Sequence, residues 1–154
     1  MKLKTLSKSE IKEINGETQK LYGKEYLNKK DFVQIQQEPI KHIKSNKKPI
    51  LFFFEEKPIP LLKTLMQEQI LKKITVDMGA IKFICNGADV MRPGIVEIDE
   101  DIEKGEIVAI IDEKNKTPIV IGQTMHDAKE MQQIKEGKVI KNIHYIGDAL
   151  WNIE

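Results

Sequence analysis

Few residues of this chain have the type and spacing to do chemistry, and the densest group is the stretch from 77 to 94, DMGAIKFICNGADVMRPG. It sets three glycines, a proline and one arginine into eighteen residues. Glycines in such a loop either let the backbone turn or let backbone N–H groups approach an anionic ligand with no Cβ in the way, as phosphate recognition requires. Arg92 would touch the same ligand. The other candidates are poorer. Asp77 and Asp148 resemble a carboxylate pair, but each lies near a glycine, where capping or a turn outcompetes acid catalysis. His42 and His126 have no Cys or His at metal-ligand spacing. Cys85, the single cysteine, ends an apolar segment without a flanking base and reads as a buried thiol. No catalytic residue, structural metal or cofactor is expected, and no intrachain disulfide can form.

The elements that must position this loop belong to a chain of 154 residues, a length that fits one domain or two small ones. With 40% apolar and 32% charged residues the composition is that of a soluble protein, and no apolar run is longer than Ile50 to Phe54, which is far too short to span a bilayer. No membrane association is expected. The N-terminal MKLKTLSKSE has no apolar signal-peptide core, which makes the cytoplasm the expected location. The net charge of +1 hides a division: residues 1 to 73 hold sixteen lysines against nine acids, and the remainder holds nine basic against fifteen acidic residues. A lysine-rich half either attracts a polyanion or is only a solvated face.

Within the first half, Leu6-Ser7-Lys8-Ser9-Glu10-Ile11 has the form of a capping box with a hydrophobic staple, so a helix starts there; Asn15-Gly16 weakens it and Gly23 offers a left-handed stop. DFVQIQQ and the segment from Ile40 to Ile43 read as half-exposed strands. Pro49 to Phe54 reads as a central strand covered on both faces. Pro58 and Pro60 break the chain, and the spacing of Leu61, Leu62, Leu65, Met66, Ile70 and Leu71 predicts a helix running to Lys72-Lys73. The second half changes period. It predicts about six short strands and two helices, one over Gly79 to Cys85 and one from an Asp127 cap to Gly137, with a hairpin at DEKNKTP from Asp112 to Pro118. Ile81, Ile84, Val90, Ile95 and Trp151 are core, and Met91 is either core filler or a base contact. The expected division is 1–73, an α+β domain, and 74–154, a mainly β pseudobarrel with two short helices.

From residue 74 to about 151, ITVDMGAIKFICNGADVMRPGIV, GEIVAII, PIVIGQT and NIHYIGDALW follow one another in an order that strongly resembles the PUA domain, the RNA-binding pseudobarrel of pseudouridine synthases and archaeosine transglycosylases. The preceding seventy residues resemble, in size and layout, the pre-PUA domain of the malignant T-cell-amplified sequence (translation machinery-associated) family and its archaeal relatives. The resemblance implies that Gly87, Ala88, Met91, Arg92, Pro93 and Gly94 line one side of an RNA groove, with Lys82 on the neighbouring helix. Lys138, Lys141 and His144 would complete the surface, with His144 also open to a purely structural role. Gly79, Gly87 and Gly147 read more readily as turn or cap residues than as direct contacts.

The function implied is that of a non-catalytic RNA-binding protein of the translation apparatus. It would bind tRNA at the acceptor end or rRNA, act at the small ribosomal subunit in initiation or recycling, and meet any SUI1-like partner as a separate chain. The alternative is an RNA-modification accessory that targets tRNA or rRNA to a separate catalytic subunit. One feature departs from a simple RNA-binding surface: Glu97, Asp99, Glu100, Asp101, Glu103, Glu106, Asp112 and Glu113 gather around the middle strands of the second half. They predict an acidic face that repels RNA and could meet a basic protein.

Overall fold

The structure, a computed structural model, describes residues 2–154. The chain opens with β1 (Leu3–Thr5) and α1 (Lys8–Tyr22). Ser7 caps α1 as its spacing requires: its hydroxyl accepts from the Glu10 N–H at 3.2 Å, and the Glu10 carboxylate accepts from the Ser7 N–H at 3.0 Å. Leu6 and Ile11 are both buried beside it, and Gly23 ends the helix at φ +76°. Asn15-Gly16 does not interrupt α1. Buried Asn15 turns its amide onto the backbone of Leu27, donating to the carbonyl at 2.7 Å and accepting the N–H at 2.9 Å, so the residue of low helix propensity secures the loop that follows.

Four strands then add to β1 in antiparallel order: β2 (Val33–Gln36), β3 (His42–Ser45), β4 (Lys48–Phe54) and β5 (Lys57–Pro60). The β3–β4 and β4–β5 hairpins turn on Asn46-Lys47 and Glu55-Glu56, all four at positive φ, the handedness that matches the twist of the flanking strands. This sheet is more enclosed than alternation suggested. Val33, Ile35, Ile43 and Leu51 pack with Ile11 of α1, while Phe52 and Ile59, on the opposite face, pack with the second half of the chain. Conversely β4 is not covered throughout. Phe53 and Phe54 are half-buried, each with a lysine ammonium over its ring, Lys41 at 4.4 Å and Lys141 at 5.2 Å. Pro58 and Pro60 do not break the chain either; β5 is an edge strand, where a missing N–H on the unpaired side costs no ladder bond. The helix that follows, α2 (Leu62–Gln67), stops short of Leu71 because the Gln69 side chain takes over both backbone groups of Leu71, at 2.7 and 2.9 Å.

The second sheet is built from β6 (Lys73–Val76), β7 (Val90–Met91), β8 (Ile95–Ile98), β9 (Ile107–Asp112), β10 (Pro118–Thr124) and β11 (Lys138–Tyr145), with α3 (Met78–Ile84) after β6 and α4 (Ala128–Gln133) before β11. The strand order is β7-β11-β10-β9-β6-β8, with β6 and β9 parallel and the other pairs antiparallel. Its two edges, β7 and β8, are consecutive in the chain and joined by one turn of 3-10 helix, Arg92–Gly94, so the covalent chain closes the barrel where no ladder does. The fold is therefore an α+β domain followed by a mainly β pseudobarrel with two short helices. Ile74, Val76, Ile84, Val90, Ile110, Val120, Met131 and Ile140 fill the pseudobarrel. The 112–118 hairpin forms as expected, with the buried Asp112 carboxylate accepting from the N–H groups of Asn115 and Thr117 at 2.7 and 2.9 Å. Helix α4 ends at Gln133; Gly137, at φ +92°, instead forms the turn into β11.

The two sheets meet through a shared apolar layer. Phe52, Ile59, Leu61, Leu62, Leu65 and Leu71 pack on Ile107, Ala109 and Ile121, with Ile143 and Trp151 at the margin. Trp151 is half-buried there rather than in either core, and Lys63 of α2 lies 4.8 Å from its ring centre. Among the described residues no helix is long and apolar enough to cross a membrane.

Candidate nucleic-acid interface

Helix α3 is set by its cap. The Asp77 carboxylate accepts from the Ala80 N–H at 2.9 Å, and the Asp77 N–H donates to the carbonyl of Gly94 at 2.9 Å, which pins the 3-10 turn against the start of the helix. A Cβ at residue 94 would lie 3.0 Å from that of Ala80, so this approach depends on Gly94. At the other end of α3 the N–H groups of Asn86 and Ala88 donate to the Phe83 carbonyl and that of Gly87 to the Ile84 carbonyl, each at 3.1 Å. Gly87 holds φ +97° to make this possible, over the ring of Tyr145. The glycine loop is therefore no phosphate cradle, since the amides expected to face an anion terminate the helix.

Asn142 of β11 fastens the loop from below. Its amide donates to the carbonyls of Ile84 and Ala88, both at 2.9 Å, and its N–H donates to Asp89 at 2.8 Å. Burial opposes ionisation of Asp89, but that hydrogen bond, the Lys138 ammonium 3.1 Å away and the nearby charge of Lys141 outweigh it and hold the carboxyl below its ordinary range. The result is a groove of about 580 Å³ between α3, the loop and the 3-10 turn, with Phe83, Met91, Pro93, Gly94 and Lys138 in its walls.

Its apolar floor is open to solvent: Phe83 is 59% exposed and Met91 50%. Met91 is thus groove lining rather than core filler. Phe83 escaped the reading of the sequence, yet a signal was present. With Ala80, Ile81 and Ile84 turned to the core, Phe83 is a large aromatic off the apolar stripe of its own helix. Lys82 lies alongside, its ammonium 5.1 Å from the Phe83 ring centre. Lys141 is exposed on the first-domain side of the groove.

Two of the residues named from the family pattern lie elsewhere in function. Arg92 turns inward: Nε donates to the Met131 carbonyl at 2.6 Å and Nη1 to that of Ile95 at 3.2 Å, so the guanidinium clamps the 3-10 turn to the end of α4. His144 cannot reach RNA, because its side chain is fully buried in the layer between the sheets. Its Nδ1 bonds the Asp148 carboxylate at 2.9 Å, which fixes the tautomer and leaves Nε2 to accept the Leu62 N–H at 3.1 Å; Phe52 packs edge-on to the ring at 5.4 Å. Asp148 also accepts the N–H groups of Tyr145 and Trp151, at 2.9 and 2.8 Å. Asp77 and Asp148, about 70 residues apart in the chain, act as separate caps.

The PUA domain family model matches residues 72–146. An uncharacterized protein of Methanocaldococcus jannaschii is 42% identical over 97% of this chain and 94% of its own length. Translation machinery-associated protein 20 of Saccharomyces cerevisiae is 38% identical over 67% of this chain, which spans 61% of that longer protein. The crystal structure of a hypothetical protein from Pyrococcus horikoshii superimposes with a TM-score of 0.85 at 34% identity, over 97% of this chain and 98% of that one. Shared sequence along nearly the whole chain, a shared two-part fold and the motifs that build the groove place the chain in the PUA-domain proteins, with the archaeal relatives of the translation machinery-associated and malignant T-cell-amplified sequence proteins.

Proposed function

We propose that this chain is a non-catalytic RNA-binding protein of the translation apparatus that holds an unpaired end or loop of tRNA or rRNA in the groove beside α3. The observation that carries the reading is the open Phe83–Met91 floor with Lys82, Lys138 and Lys141 around it. An exposed aromatic face accepts a splayed base, worth about 1–3 kcal/mol per stacked base, and lysines at the rim take the phosphates. Double-stranded RNA offers no free base face to such a floor.

Similarity to a protein named for the translation machinery favours tRNA or rRNA over other RNAs. A role in initiation or recycling at the small ribosomal subunit, with a separate SUI1-like protein as partner, extends the same reading. The carboxylates most suited to acid catalysis are engaged as caps, which supports a binding role. The test is fluorescence anisotropy of the full chain with tRNA bearing or lacking its 3′ CCA end, at several salt concentrations. Tighter, salt-dependent binding to the intact end supports the proposal. Equal binding with and without the end moves the contact to an unpaired loop of the tRNA, and no binding at any salt to tRNA or, in the same titration, to small-subunit rRNA overturns the proposal.

A further inference from the structure

The groove does not end at the limit of the pseudobarrel. Lys138 pairs with the Asp89 carboxylate at 3.1 Å at the lower rim, and Lys141, three residues on in β11, is near enough for its charge to act on the same group. From there the Lys141 ammonium reaches over the ring of Phe54, 5.2 Å from its centre, and Phe54 belongs to β4 of the other sheet. Phe54 in turn stands directly opposite Lys57 across the β4–β5 hairpin, which puts both side chains on one face. Lys57, Lys82 and Lys141 form no ion pair among the described residues. Lys138, Lys141, Phe54 and Lys57 thus make a continuous cationic and aromatic path across the seam between the sheets. By strand rise and cross-strand spacing it is roughly 20 Å long, several nucleotides of single strand. It stops at the exposed Glu55-Glu56 turn, where negative charge returns; only Glu56 is partly offset, by Lys41 at 3.5 Å.

Resting on the RNA-binding reading of the groove, we infer that single-stranded RNA leaving the groove crosses the seam beneath Lys141 and continues onto the first domain. Phe54 serves there as a second stacking surface and Lys57 as a phosphate contact. Half-buried Phe54 packs with the layer between the sheets and carries the Lys141 ammonium over its ring, so a base stacks there by displacing that ammonium, which then meets phosphate. The excess of lysine in the first 73 residues supplies the potential that draws a polyanion to that side.

The experiment compares two single-stranded RNAs with the same CCA end, about four and about twelve nucleotides long, a range that brackets one small domain and both. In the full chain, Phe54→Leu with Lys57→Gln keeps apolar volume and solubility while removing the ring and the charge; a thermal melt confirms folding. The expected result is about a tenfold loss of affinity for the longer RNA, with the shorter one unaffected. Lys57→Gln alone, at a half-buried surface position, lowers the salt slope for the longer RNA by about 0.7. The inference is overturned if the unmodified protein binds both lengths equally, if the variants leave the longer RNA unaffected, or if both RNAs weaken in parallel. Failure of the groove reading looks different: the unmodified chain then binds neither RNA.

Discussion

Arg92 and Phe83 exchange the parts that their residue types suggest. An arginine in a loop of glycines invites a reading as the anion contact, yet the Arg92 guanidinium donates to two backbone carbonyls, those of Met131 and Ile95. A half-buried carbonyl left without its donor costs about 1–3 kcal/mol, so Arg92→Ala should lower unfolding stability by that order in a urea titration. Phe83 is the reverse case. At 59% exposure it supports little packing, and Phe83→Ala should leave the urea midpoint in place while weakening RNA binding by about 1–3 kcal/mol, read by anisotropy. The two substitutions thus separate along orthogonal measurements, and an Arg92→Ala variant with normal stability but lost affinity would restore the arginine to the binding surface. The groove was legible in the sequence as a place, from its glycines and proline, but not as a set of roles. Side-chain direction decides which of two neighbours faces solvent, and an arginine's direction is not written in its spacing.

Local pattern settled the elements wherever a capping group could be named, and failed where distant parts of the chain intervened. Ser7, Asp77 and Asp127 each cap the helix that follows them, as their positions announce, because the bond is made within three residues. The half-exposed reading of β2 and β3 failed because Gln36 and His42 are buried on a face that Ala149, Asn152 and Ile153 of the chain's end also line, a neighbour that no window of six residues contains. The acidic middle strands show the same limit. Asp99, Asp112 and Glu113 accept backbone N–H groups of Lys73, Asn115 and Met78, so part of what reads as an acidic docking face is engaged with backbone, Asp112 within its own turn and the other two across to distant segments. Asp148 carries this furthest. Burial opposes its ionisation, but the bonds from His144 and from the Tyr145 and Trp151 N–H groups outweigh it and hold the carboxyl below its ordinary value of 3.8. A folded-state value below the unfolded one contributes stability that is complete above the unfolded value and is lost as pH falls through the folded one. Acid titration should therefore loosen the end of β11 below about pH 4, and Asp148→Asn should flatten that part of the stability profile. An unchanged acid profile in the variant would move the origin of acid sensitivity to other carboxylates.

At the scale of the whole molecule the seam matters more than either core. Phe52, Ile59, Leu62 and Leu65 complete one side of a layer whose other side is Ile107, Ala109 and Ile121, and the buried His144 ties the two by accepting the Leu62 N–H. Neither sheet can separate without exposing that apolar layer to water and giving up the bond between Leu62 and His144, so partial unfolding at the seam is costly. The chain should accordingly unfold in one transition, with calorimetric and van't Hoff enthalpies in agreement, despite having two sheets with two topologies. Replacing His144 by Ala would remove the acceptor while sparing both cores. The expected outcome is a lower midpoint together with a calorimetric enthalpy that exceeds the van't Hoff value, as the sheets begin to melt apart. Two transitions in the unmodified protein would mean that the layer contributes contact without cooperativity. In that case an RNA path crossing the seam would join two bodies free to shift against each other, whereas a single transition means that the groove and the β4–β5 hairpin are held at fixed spacing before any RNA arrives, which lowers the ordering cost of binding.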